Sequence, residues 1–238
     1  MAAPPNAAIA EPPALSLANT IASMRAFARA GLAETTVGLT KLQCGQPGLK
    51  QMTETFGIDE AMIGTELNEG KLKKATNQRF LPLPVLKTST SNKKAFYLSF
   101  FRPRFRPSGT PDQCDFELML VCKDQKSTIG FGFERGRRAK DTHGYTHVQL
   151  RREFSNCPVV TSLGEAYEHS YPAWPTRCRQ IGDTWLAVLV TLYGLSPEDN
   201  LGLGKIIARV QQGGELTQGP QMLDRARYLF EVPKASAP

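Results

Sequence analysis

The chain has 238 residues, 41% of them hydrophobic and 21% charged, with a formal net charge of +7 at pH 7. That composition belongs to a globular protein long enough to bury a sizeable core. Its longest apolar run, Trp185-Leu-Ala-Val-Leu-Val190, falls far short of the roughly 20 residues a membrane-spanning helix needs. The basic balance points to an anionic partner.

The opening MAAPPNAAIAEPPA has neither a positive n-region nor a long apolar h-region. It is expected to be a disordered Ala/Pro-rich tail over residues 1–18, not a signal peptide. Asn19-Thr20 followed by Ile21, Met24, Phe27 and Ala28 predicts a capped amphipathic helix ending near Gly31, with Arg25 and Arg29 on its other side. Residues 32–56 show no clear period. Asp59 to Leu67 predicts a short helix, and Lys71 to Arg79 a polar, exposed stretch. Leu81-Pro-Leu-Pro-Val85 cannot be a central strand, because each proline removes a ladder donor.

Charge is segregated along this part of the chain. Residues 51–69 hold five acids and no Lys or Arg, whereas residues 70–111 hold ten Lys/Arg and no acid. Such blocks polarise a surface wherever they are exposed.

The middle of the chain reads as strands over Ala95–Phe101, Asp115–Cys122, Thr128–Glu134 and Tyr145–Arg151, with Val159–Leu163 a candidate fifth. Short polar links predict an antiparallel meander. The last third turns helical. Asp183 is placed as the cap of a helix through Tyr193 that is apolar nearly all round, and Gly194 as its C′ residue. Ser196-Pro197-Glu198-Asp199 predicts another helix start. Gly204–Val210 and Gln221–Phe230 are further helices, separated by Gly213-Gly214. The expected fold class is α+β, an antiparallel sheet over about residues 95–152 packed against N-terminal and C-terminal helices. It forms one domain over residues 19–232, with residues 233–238 a loose tail.

Within the sheet, Ile129-Gly-Phe-Gly-Phe133 places its two phenylalanines on one face and its glycines on the other. Gly130-Phe-Gly-Phe133 resembles the base-stacking strand of the RNA-recognition motif. That fold needs a helix between its first two strands, and RPRFRPSGTPDQC cannot supply one. Membership is therefore excluded, and the phenylalanines are expected in the core.

Arg102-Pro-Arg-Phe-Arg-Pro107 is the best basic-aromatic cluster. Prolines hold it extended, its guanidiniums suit a phosphate backbone, and Phe105 can stack on a base. The competing account pairs these arginines with acids such as Glu117. A second patch holds Arg135, Arg137, Arg138 and Lys140.

Three catalytic patterns stand beside binding. Pro111-Asp112 with Asp124-Gln-Lys126 spells a metal-dependent nuclease signature, but its second half falls in a polar turn where a strand is required. Arg138 and His143 have an R-x4-H ribonuclease spacing without the helices it needs. His143, His147, Cys157, His169 and Cys178 are metal-capable, but two histidines four apart on a strand are about 13 Å from one another. An acid–base role for His147 needs a partner such as Glu165 or Glu168. Gly202-Leu-Gly-Lys205 lacks the remaining phosphate-loop residues.

Five cysteines (44, 114, 122, 157 and 178) without a C-x-x-C pair predict reduced thiols and a cytoplasmic location. The expected function is non-catalytic nucleic-acid binding, as a protein alone or as a nucleoprotein subunit. RNA or DNA is contacted through Arg102, Arg104, Phe105, Arg106, Arg135, Arg137, Arg138 and Lys140. No cofactor, metal or membrane is called for, and other protein subunits are further partners. The alternatives are a nuclease or phosphodiesterase using His143/His147 or Asp112/Asp124, and an adaptor with segregated acidic and basic surfaces.

Overall fold

The structure, a computed structural model, describes residues 10–41, 60–70, 83–85, 97–105, 114–122, 128–134, 147–151, 170–171, 180–196 and 202–230. Five helices are described: α1 (Leu17–Lys41), α2 (Glu60–Glu66), α3 (Ile181–Tyr193), α4 (Leu203–Gln212) and α5 (Gly219–Phe230). Six strands are described as well: β1 (Leu83–Val85), β2 (Tyr97–Phe105), β3 (Cys114–Cys122), β4 (Thr128–Glu134), β5 (His147–Arg151) and β6 (Ser170–Tyr171).

The fold class read from the sequence needs correction. The described core is almost entirely helical: among the residues whose burial is described, the five helices and their flanks supply every buried hydrophobic side chain except Phe133. An α+β domain organised around a sheet at 95–152 misplaces the centre of packing. The strands form a ladder that starts at Leu83, ends at Tyr171 and contributes Phe133 alone to the described core.

Helix α3 is the axis of that core. It packs against α1, α4, α5, β3 and β4, which is why it is apolar on every side. Trp185, Leu186, Val188 and Leu189 are all fully buried. The Trp185 ring meets Phe27 of α1 edge-on, with centroids 5.8 Å apart. Its Nε1–H donates to Ser23 Oγ at 2.7 Å, and the Ser23 hydroxyl donates on to the Thr20 carbonyl at 2.8 Å. The buried polar atoms of this contact are thereby satisfied. Gly194 ends α3 at φ 68° and donates its N–H to Val190 O at 2.8 Å, as a helix-terminating glycine does. Asp183 acts from inside the first turn, its Oδ2 accepting the Gln180 N–H at 3.0 Å.

Helix α1 begins earlier and ends later than the sequence suggests. Ser16 is its cap, its Oγ accepting the Asn19 N–H at 3.1 Å. The helix runs through Gly31 to Lys41. A helical glycine costs about 1 kcal/mol relative to alanine, less than burial of Ile21, Met24 and Phe27 returns.

Part of the expected disordered tail is also ordered. Leu15 is 1% exposed within the core, and residues 11–13 are hydrogen-bonded to α5. Proline and alanine offer little surface for packing, but Glu11 and Leu15 supply what the segment needs.

The ladder is an antiparallel meander in the order β1 to β6. Its edge strand β1 carries Pro84, and Pro103 of β2 lies beyond the residues that β1 pairs, so neither proline interrupts a doubly paired strand. Register and alternation divide the ladder into two faces. One is apolar: Phe101, Leu118, Phe131 and Leu150 share a row, and Phe116, Phe133 and Val148 share the next. Phe133 is 1% exposed against the helices, which places the apolar face toward α3.

Candidate nucleic-acid interface

The opposite face is apolar at one end, where Leu98 pairs in register with Val121 and Phe100 with Met119, and polar at the other. In one row Arg102 stands opposite Glu117, Glu117 opposite Gly132, Gly132 opposite Gln149, and Gln149 opposite Ser170. Toward the end of the sheet, Arg104 pairs in register with Asp115 and Glu134 with His147. Asp115 and Glu134 each lie one residue past the Phe116–Phe133 pair, so all four belong to one row. Arg151 takes the register position opposite Gly130. This face therefore gathers three arginines, three carboxylates and a histidine from four strands.

Two consequences follow. The arginines of β2 do not stand on an acid-free surface, because Glu117 and Asp115 occupy the positions directly across the ladder. The glycines of β4 also leave the middle of the polar face without side chains. Gly132 is itself buried.

Among the expected binding residues, Arg102, Arg104 and Phe105 lie on β2, with Phe105 on the apolar side of the alternation. That placement removes Phe105 from the row that holds the arginines. Arg102-Pro-Arg-Phe105 is strand and not connecting loop, because its fixed proline φ suits extended backbone. Arg106, Arg135, Arg137, Arg138 and Lys140 lie outside the described residues, as do Asp112, Asp124 and His143. Cys157, His169 and Cys178 lie outside them too, while His147 opens β5. Among the described residues, no group of three or more His, Cys, Asp or Glu could hold a metal. Gly202-Leu-Gly-Lys205 is the start of α4, and the Leu203 N–H already donates to Gly194 O at 3.0 Å, which removes it from phosphate binding.

The strongest ionic site in the helical body escaped the sequence reading. Arg225 of α5 is 1% exposed and Asp183 of α3 is 0% exposed. Arg225 Nε donates to Asp183 Oδ1 at 2.9 Å and Nη2 to Oδ2 at 3.2 Å. Nη1 donates to Glu11 Oε1 at 2.7 Å and to the Pro12 carbonyl at 2.8 Å. Burial pulls the guanidinium pKa down, but the hydrogen bonds to Asp183 and Glu11 outweigh it and hold the pKa above its ordinary value. Arg225 joins α3 and α5 and ties the N-terminal segment to both, a structural use of its planar donor fork. The signal was an arginine inside the apolar spacing Met222, Ala226, Leu229, where a charge needs a buried partner.

No protein family, curated protein or solved structure matches the chain. Among the described residues, no helix is long and apolar enough to cross a membrane.

Proposed function

We propose that the protein binds nucleic acid in the cytoplasm through the polar face of its strand ladder, with Arg102 and Arg104 on the phosphate backbone. One observation carries the reading. β2, which belongs to the acid-free basic stretch 70–111 of the sequence, puts Arg102 and Arg104 on the face of the ladder opposite its apolar rows, a face they share with Gln149 and Arg151. Arginine forks suit phosphate oxygens geometrically, and the surplus cations of the segment supply the attraction that steers a polyanion to them. Contacts of this kind position a strand without reading its bases. The odd cysteine count without a C-x-x-C pair supports the cytoplasmic location.

Ultraviolet absorbance of protein purified without nuclease tests the proposal. Co-purifying nucleic acid that is shed at high salt is the expected result. Protein free of nucleic acid at low salt, together with a stoichiometric protein partner, would replace this reading with the adaptor.

A further inference from the structure

The polar face holds one register pair unlike its neighbours. Arg102 with Glu117 and Arg104 with Asp115 are pairs of permanent opposite charges at neutral pH. Glu134 with His147 combines a carboxylate with a side chain whose ordinary pKa is about 6.5. Directly opposite residues on adjacent strands have Cβ atoms about 5 Å apart. Arg104 sits three strand spacings from His147 in the same row, roughly 14 Å at Cα, and Arg102 is on the next row of the same face.

We infer that the juxtaposition of Glu134 and His147 on the face that carries Arg102 and Arg104 is a site for metal-free cleavage of RNA. The inference rests on the proposed nucleic-acid binding and names the reaction that binding serves. The chemistry needs a base, an acid and cations on one phosphodiester. The Glu134 carboxylate takes the proton of a ribose 2′-hydroxyl. The 2′-oxygen forms a bond to phosphorus, and the bond from phosphorus to the 5′-oxygen breaks. His147, as imidazolium, gives its proton to the departing 5′-oxygen. Arg102 and Arg104 balance the negative charge that gathers on the phosphoryl oxygens. The products are a 2′,3′-cyclic phosphate and a 5′-hydroxyl, and proton exchange with water restores both residues. No metal or co-reactant enters, and DNA, lacking the 2′-hydroxyl, is bound but not cut.

The test uses full-length protein in EDTA with end-labelled single-stranded RNA and the DNA of the same sequence. Wild type is expected to bind both and to cut RNA alone, leaving cyclic-phosphate ends. Glu134→Gln and His147→Gln are each expected to cut about 100-fold or more slowly when the RNA is fully bound at saturating protein. Circular dichroism and a thermal melt of both variants exclude misfolding as the cause. Binding of RNA and DNA without cleavage overturns the inference and leaves the binding function standing. Equal cleavage by wild type and a folded variant, or cleavage only with added Mg2+, overturns it as well. Failure to bind either nucleic acid overturns both.

Discussion

The helical body and the strand ladder hold their arginines in contrasting ways. Arg225 is sealed between α3 and α5 with Asp183, Glu11 and the Pro12 carbonyl on its donors. Arg102 and Arg104 stand in a ladder, with carboxylates across the strand and other polar residues along the row. A sealed charge costs desolvation and is retained only with complete hydrogen bonding. On the proposed reading a ladder charge exchanges a carboxylate for a ligand oxygen, so that the first arrangement serves the fold and the second a partner.

Substitutions that break this contrast should differ widely in cost. Arg225→Leu leaves the Asp183 carboxylate buried without its cation, and a loss of about 3–5 kcal/mol is expected by denaturant titration. A loss below about 1 kcal/mol would mean that the buried pair contributes no more than an exposed one. Trp185→Ala empties the centre of the core and removes the donor to Ser23 Oγ, for a similar expected loss of about 3–5 kcal/mol. Gly182→Ala comes next. A Cβ there would lie 2.6 Å from Leu15 Cβ and 3.0 Å from its carbonyl oxygen, so about 1–3 kcal/mol is expected from the forced shift of the N-terminal segment.

The smallest effects belong to exchangeable charges. Glu11→Gln removes an ion pair whose carboxylate side chain is 58% exposed, and about 0–1 kcal/mol is expected. Arg102→Ala and Arg104→Ala each remove one cross-strand pair, expected to contribute about 0.2–1 kcal/mol. If either ladder variant destabilised as much as Arg225→Leu, the contrast between sealed and available arginines would fail.

The sequence announced the local elements more clearly than their assembly. Apolar runs bounded by a polar link located β3 and β4 to within a residue, as Leu118-Met-Leu-Val-Cys122 and Ile129-Gly-Phe-Gly-Phe133 on either side of Lys123–Ser127 show. The uniformly apolar Trp185–Val190 run announced α3. What it hid was weight: strands rich in aromatics suggested a sheet-centred domain, whereas the described core gathers around α3. The early start of α1 was missed because Ser16 caps a helix whose first residues are weakly patterned.

The candidate interface was half legible. Arg102 and Arg104 were visible as a basic cluster, and His147 as a residue in need of an acid. Glu134 could not be matched to it, because partners on adjacent strands are set by register, and register depends on connections whose spelling does not fix their geometry. Arg225 was overlooked because its partners, Asp183 and Glu11, are 42 and 214 residues away in sequence.

The central claim is that Arg102 and Arg104 meet phosphate on the polar face of the ladder. Its most direct test is the salt dependence of single-stranded nucleic-acid binding by wild type and by the doubly substituted Arg102→Ala/Arg104→Ala protein. The account predicts weaker binding of every sequence and a salt slope shallower by about 2 for the folded double variant. An unchanged affinity and slope would place the interface elsewhere and contradict the account.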